Sequence, residues 1–293
     1  MEVLAFDIGG TKIYCAKINE NGEISSEIEK YSTPQNKSDF ETLIKSIIEK
    51  FSNDVCAVGI ATAGTVSNQN DRIIGSTGNM FKEYPAVEFS SLSKLPVFLE
   101  NDANAAAWAE YKIGASKDTT VSVLLTLGTG VGGGIIINNK LLKGKSGGAG
   151  EMHFKMRTDK HRKCTCGTYD CYEAYASGTG LKTTAIEISG NPEITTYDVV
   201  AGLKKQDKLM TQIFNQWEND IADGIIGLAN IFDPDCIVLS GSMATYVDTQ
   251  KIENKVNAEI VTAPTKIKLA TAGNYAGMIG VGLLAMEAIN GQS

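Results

Sequence analysis

The chain has 293 residues, 43% hydrophobic and 21% charged, with a formal net charge of −7. This composition predicts an ordinary soluble globular protein, and the acidic balance argues against a nucleic-acid surface, which needs clustered Lys and Arg. No apolar run approaches the roughly 20 residues of a membrane helix. The opening MEVLAF has no basic segment ahead of an apolar core, so the cytoplasm is the expected compartment.

Residues 3–6 read as a short strand closed by Asp7. Gly9 and Gly10 then turn the chain, and Thr11 and Lys12 open a second alternating run through Ile13, Cys15, Ala16 and Ile18. A glycine turn between two strands is either an ordinary hairpin or a cradle whose amides and hydroxyl hold phosphate oxygens. The alternation of 13–19 and 23–31 around Glu20-Asn21-Gly22 predicts a further hairpin. Ser38, with Glu41 three residues on, reads as a capping box opening a helix with Leu43, Ile44, Ile47, Ile48 and Phe51 on its apolar face. Residues 55–61 form a buried strand. Residues 65–95 are loop-rich and include Asn79. A strand at 96–99 leads into Glu100-Asn101-Asp102, followed by an Ala-rich helix over 103–113 that Gly114 ends. By position alone, Asp102 is a helix N-cap.

A strand at 119–127 repeats the opening layout, running into GTGVGGG at 128–134 and then into further β-type residues. A dinucleotide fingerprint would need a helix after these glycines, and a Walker loop needs Gly-Lys-Ser/Thr opening one, so both are excluded. After the loop GKSGGAGE (144–151), residues 206–232 read as a long helix with Ile213, Phe214, Trp217, Ile221, Ile225 and Leu228 on one face, stopped by Asp233-Pro234. A strand at 236–239, a helix at 249–261, a strand at 266–270 and a helix at 277–288 complete an α/β lobe. The recurrence implies a duplicated α/β protein of β-β-β-α-β-α units, with lobes at 1–115 and 116–293 and a nucleotide between them. Three of the six cysteines, Cys15, Cys56 and Cys236, sit singly in apolar runs as core residues. Cys164, Cys166 and Cys171 cluster, which in a reducing compartment indicates metal more than a disulfide. The alternative is three reduced thiols packing a loop.

DIGGTK, ENDANAAAWAE, TLGTGVGGG, GAGE and CTCGTYDCYEAYASGTG, in this order, resemble the ROK sugar kinases over nearly the whole chain. The resemblance implies the two-lobed actin-like ATPase (ribonuclease H-like) fold with an interlobe cleft. It also implies ATP- and Mg²⁺-dependent phosphorylation of a hexose 6-hydroxyl. Asp7 then acts near Mg²⁺ and the phosphates. Gly9, Gly10, Thr11 and Lys12 line one phosphate loop, and Thr129, Gly130 and Gly132 the other. Asp102 resembles the general base, which suits a poorly nucleophilic sugar hydroxyl. The implied sugar contacts are Asn79, Asn101, Asp102, Glu151, His153 and Glu173; without the family, Glu173 is a solvated charge opening a helix.

The spacing C-x-C-x4-C resembles the family's zinc thiolates. The family's fourth ligand is a His three residues after the Glu, but here His153 comes one residue early and Phe154 stands in that place. Asp170 replaces a family Gly. Either His153 still binds, or His161 substitutes, or zinc is lost. Asn79 is followed by Met80-Phe81-Lys82 without the Trp of ROK glucokinases, which points to N-acetylmannosamine and sialic-acid breakdown, with glucose as the alternative. ROK repressors carry an added DNA-binding module; this chain begins at the first phosphate strand and is expected to be a kinase rather than a repressor or a non-catalytic sugar sensor. The resemblance also implies a homodimer.

Overall fold

In the computed structural model, which describes residues 1–75, 87–158 and 162–291, the opening is strand, glycine turn, strand, as its alternation predicts. Strand β1 (Glu2–Ile8) pairs antiparallel with β2 (Lys12–Asn19), and β2 with β3 (Glu29–Ser32). Helix α1 (Lys37–Phe51), strand β4 (Val58–Thr62) and a small β5 (Thr65–Val66) and β6 (Ile73–Gly75) pair follow. Strand β7 (Val97–Asn101) runs directly into α2 (Asp102–Ile113). The sheet order is β3-β2-β1-β4-β7. Because β1, β4 and β7 are parallel, with Asp7 opposite Ala61 and Ala61 opposite Glu100, their carboxyl ends deliver Asp7 and the Asn101-Asp102 turn to one edge of the sheet. In open parallel sheets, that edge is where ligands bind.

The second half repeats the arrangement. Strands β8 (Val121–Leu127), β9 (Val131–Ile137) and β10 (Lys140–Leu141) are followed by helices α3 (Glu173–Ala176), α4 (Gly178–Ser189), α5 (Thr196–Lys204) and α6 (Lys208–Phe232). Then come β11 (Cys236–Ser240), α7 (Thr249–Glu259), β12 (Lys266–Leu269) and α8 (Ala276–Ile289). Their order, β10-β9-β8-β11-β12, is that of the first sheet: third, second, first, fourth and last strand. The chain forms two compact units. One comprises Met1–Asp118, Gly134–Gly150 and Thr271–Ser293, the other Thr119–Gly133 and Glu151–Ala270. The chain passes from the first unit to the second after Asp118, and the segments Gly134–Gly150 and Thr271–Ser293 return to the first.

In the first unit, α1 covers one face of the sheet. Its Phe40, Ile44, Ile47 and Ile48 join Leu4, Phe6, Ile8, Val58 and Ile60 in a single apolar core. Strand alternation turns Asp7 to the other face, where α8 and α2 lie. The backbones approach closely there: a Cβ on Gly59 would sit 2.7 Å from Val281 O, and one on Gly280 1.7 Å from Ala105 O. In the second unit the fully buried Trp217 of α6 anchors the helices, its indole N–H donating to Ala176 O and Ser177 O at 3.1 and 3.0 Å. Among the described residues no helix is long and apolar enough to cross a membrane.

Several boundaries differ from those expected. Helix α1 starts at Lys37 and its cap is Asn36, whose Oδ1 accepts from Asp39 N at 2.9 Å, not Ser38 with Glu41. The run 23–31 pairs with β2 only from Glu29 onward, apart from a bridge between Ile18 and Ile24. Serine side chains intercede there: Lys17 N donates to Ser26 Oγ at 2.9 Å in place of a ladder bond. Helix α6 begins at Lys208, because Gln206 takes φ +57° and Asp207 caps the first turn.

Candidate active site

In the first unit, the Gly9-Gly10-Thr11 turn is closed by Gly9 N donating to Lys12 O at 2.9 Å. It is pinned from β3's exit by Thr33, whose Oγ1 donates to Gly9 O at 2.7 Å and whose N donates to Thr11 O at 3.1 Å. No local pattern marks Thr33, because its role depends on strand pairing. Gly10, Thr11 and Lys12 are exposed, so this part of the turn faces outward.

Asp7 lies at the end of β1 below that turn. Burial, followed by the negative charge of Asp102, pushes its carboxyl up to about 6. Gly277, in the first turn of α8, is close to both acids: a Cβ there would be 3.5 Å from Asp102 O and 3.9 Å from Asp7 Cγ. Among the described residues no side chain caps α8, and Gly277 in its first turn brings the partial positive charge of its N-terminus close to this pair. The α8 contribution is another the sequence does not reveal, since α8 lies at the far end of the chain.

Asn101, not Asp102, caps α2. Its Oδ1 accepts from Ala103 N at 2.9 Å and Asn104 N at 3.1 Å, and its Nδ2 donates to Gly64 O at 3.0 Å. Asp102 is the first helical residue, exposed, with Oδ1 accepting from Ala103 N at 2.8 Å. The N-cap reading of Asp102 is therefore replaced: its neighbour does the capping, and the acid is presented outward. Asn79 lies outside the described residues.

The second unit holds the other predicted groups. In the second glycine turn, Gly128 N donates to Gly130 O at 3.0 Å and Gly132 N to Thr126 Oγ1 at 3.0 Å. Thr129 O accepts from Thr179 Oγ1 at 2.8 Å. Glu173, the first residue of α3, is buried rather than solvated. Its Oε2 accepts from Val131 N at 3.1 Å, and its Oε1 from the Thr165 hydroxyl and, at 3.6 Å, the Cys164 thiol. Glu173 thus ties the glycine turn to the cysteine loop. Gly130 makes this possible, since a Cβ there would lie 2.4 Å from Glu173 Oε2.

The early histidine still reaches the thiols. One ligand atom from each of His153, Cys164, Cys166 and Cys171 lies within 4.8 Å of the others. Cys164 Sγ is 3.4 Å from His153 Nδ1, and Cys166 Sγ is 3.6 Å from Cys171 Sγ. A tetrahedron built on Zn–S of about 2.3 Å and Zn–N of about 2.0 Å has edges of about 3.5–3.8 Å, so this donor set fits zinc. His153 Nε2 is 3.6 Å from Glu151 Oε2, the kind of outer carboxylate that orients a ligating imidazole. Phe154 is used instead for packing, stacked on Tyr172 at 5.0 Å between centroids. Asp170 adopts φ +61°, a conformation natural to glycine, and compensates by accepting from Arg162 N at 3.0 Å and Tyr175 OH at 2.8 Å. His161 lies outside the described residues.

A family model described as "ROK family" matches residues 3–288. The chain belongs to the ROK family. It is 32% identical over 310 residues to a glucokinase of Streptomyces coelicolor, covering 97% of each chain. It is likewise 32% identical over 296 residues to an N-acetylmannosamine kinase of Salmonella typhi, covering 97% of this chain and 98% of that protein. Among solved structures, a ROK family glucokinase from Streptomyces griseus in complex with glucose and AMPPNP matches with a TM-score of 0.79 at 28% identity, covering 98% of this chain and all of that one. A putative N-acetylmannosamine kinase from Listeria monocytogenes matches with a TM-score of 0.83 at 27% identity, covering 99% and 100%. This ROK chain has the actin-like ATPase fold of its structural relatives, with its two α/β units built on one repeated strand order.

Proposed function

We propose that this protein is an ATP-dependent kinase that phosphorylates the 6-hydroxyl of a hexose, with Asp102 as general base. The observation that carries the proposal is the division of labour at the start of α2: Asn101 does the capping, leaving an exposed Asp102 near a second, half-buried acid. A carboxylate so placed accepts the hydroxyl proton as the phosphoryl group transfers. The Gly9–Lys12 turn and the turn bearing Thr129, Gly130 and Gly132 hold phosphate oxygens. Asn79, Asn101, Glu151, His153 and Glu173 contact the sugar.

A carboxyl whose proton affinity is raised by burial and by a neighbouring carboxylate fits a divalent cation, whose charge relieves the repulsion. Asp7 would hold Mg²⁺ there, and the ion supplies charge neutralisation on the phosphates. His153, Cys164, Cys166 and Cys171 would hold a structural Zn²⁺, which fixes the loop carrying His153 and the start of α3.

For the sugar, N-acetylmannosamine is our first reading. It rests on the absence of Trp after Asn79. Glucose is the second, because the Streptomyces glucokinase is equally identical. A coupled ADP-release assay with N-acetylmannosamine, glucose, N-acetylglucosamine and fructose side by side tests both. Preference for N-acetylmannosamine supports the first reading and preference for glucose the second. Turnover of none of the four refutes the kinase and leaves a sugar-binding regulator.

A further inference from the structure

Glu100 has no part in the chemistry above, yet its carboxylate accepts four hydrogen bonds two residues before Asp102. It is 1% exposed, immediately before the cap of α2. A carboxylate in that setting needs a counter-ion and a full set of donors, and it has both. Oε1 accepts from Asn101 N at 2.9 Å and Asn104 Nδ2 at 3.1 Å. Oε2 accepts from Asn70 Nδ2 and Lys143 Nζ, each at 2.9 Å.

These donors come from three separate stretches of the first unit, and each is itself restrained. Asn70, at φ +58°, also donates to Leu99 O at 2.6 Å, and Leu99 N donates back to Asn70 O at 2.9 Å. Lys143 also donates to Ser67 O at 3.2 Å. Its following residues are tied to the same turn by Asn68 Nδ2, which donates to Gly144 O at 3.0 Å and Lys145 O at 2.9 Å.

The first turn of a helix is where its backbone frays. Asp102 is in that turn, on an exposed side chain, and Asn101 uses its own carboxamide for the cap and for Gly64. We propose that Glu100, with Lys143 as its counter-ion, is a positioning residue for phosphoryl transfer: it locks the Asn101-Asp102 turn so that the Asp102 carboxylate meets the acceptor hydroxyl. This rests on the kinase reading. Only a side chain with two acceptor oxygens at this length meets the demand. Gln has one acceptor oxygen, and its amide would oppose two of the four donors; Asp is one methylene too short to reach them.

The test compares wild type, Glu100→Gln, Lys143→Met and Lys143→Arg by steady-state kinetics, calorimetric binding of ADP and sugar, and thermal midpoint. Glu100→Gln and Lys143→Met are expected to lower kcat about tenfold to a hundredfold, the range a displaced base produces, with both KM values within about threefold of wild type. Lys143→Arg is expected to recover most of that rate. Wild-type kcat in folded Glu100→Gln overturns the proposal, as does loss of kcat, binding and midpoint together, which marks a role in folding alone. Should Glu100→Gln not fold, a folded Lys143→Met at wild-type kcat overturns it equally. A wild type inert toward all four hexoses overturns the kinase reading itself, and this assignment with it.

Discussion

Replacing Asp7 with Asn is expected to abolish phosphoryl transfer and to make the protein more stable at pH 8. At the end of β1, burial and then the Asp102 charge raise the Asp7 carboxyl from 3.8 to about 6. At about 1.4 kcal/mol per unit, holding that group ionised in the folded state costs about 3 kcal/mol. The sign follows from the proton count. Between about pH 4 and pH 6 the folded protein keeps a proton that the unfolded chain has released, so stability falls as pH rises through this window. Above pH 6 the full cost applies. Asn removes it, so Asp7→Asn is expected to gain about 2–3 kcal/mol at pH 8, or several degrees in midpoint at about 2–4 °C per kcal/mol for a chain near this size. At pH 4.5, where Asp7 is mostly protonated, the gain shrinks to about 1 kcal/mol or less. The assay is thermal unfolding of both proteins by circular dichroism at pH 4.5, 6 and 8 without nucleotide, beside the ADP-release assay. A variant no more stable than wild type at pH 8, or equally stabilised at pH 4.5 and 8, refutes the electrostatic account of this pair. Loss of activity with a gain in stability is the signature of a site whose repulsion serves a ligand.

Asp102→Asn is expected to lower kcat by about 10²–10⁴, the range for a lost general base, while calorimetry shows sugar binding retained; a variant at full rate removes Asp102 from the chemistry. Gly130→Ala places a Cβ 2.4 Å from Glu173 Oε2, so the Val131 bond must break; kinetics are expected to show KM for ATP rising more than KM for the sugar. Metal analysis of the purified protein is expected to find about one zinc per chain. His153→Ala or Cys166→Ser is expected to lower that content and the thermal midpoint together, whereas unchanged zinc in His153→Ala would exclude the histidine as a ligand.

Much of the fold was legible because its signals are local. Alternation in residues 2–19, the glycine turns and the apolar face of α6 each report a neighbourhood of a few residues, and the repeated strand layout followed from reading two such neighbourhoods alike. The misplaced boundaries share one cause, side chains competing with backbone. Asn36 took the cap expected of Ser38, Ser26 took a ladder donor from β2, and Asn101 took the cap that position alone assigns to Asp102. All three are short polar side chains whose reach to a backbone amide depends on dihedrals that composition does not specify.

By itself, the sequence determined the residue types available for chemistry and their order: an acid closing β1, an acid opening α2, two glycine turns and three thiols at metal spacing. It left open which of them meet. Whether His153, one residue early, could join Cys164, Cys166 and Cys171 was decided by the loop path, with Phe154 turned onto Tyr172 so that the imidazole faces the sulfurs. That Asp102 lies close enough to act on Asp7, with α8 beside both, required parallel pairing of β1, β4 and β7 and the glycine-lined approach of α8. The bonding of Glu100 to Asn70 and Lys143, 30 and 43 residues away in the chain, belongs to the same class. Such contacts are set by strand register and backbone packing across the whole unit, and no local pattern encodes them.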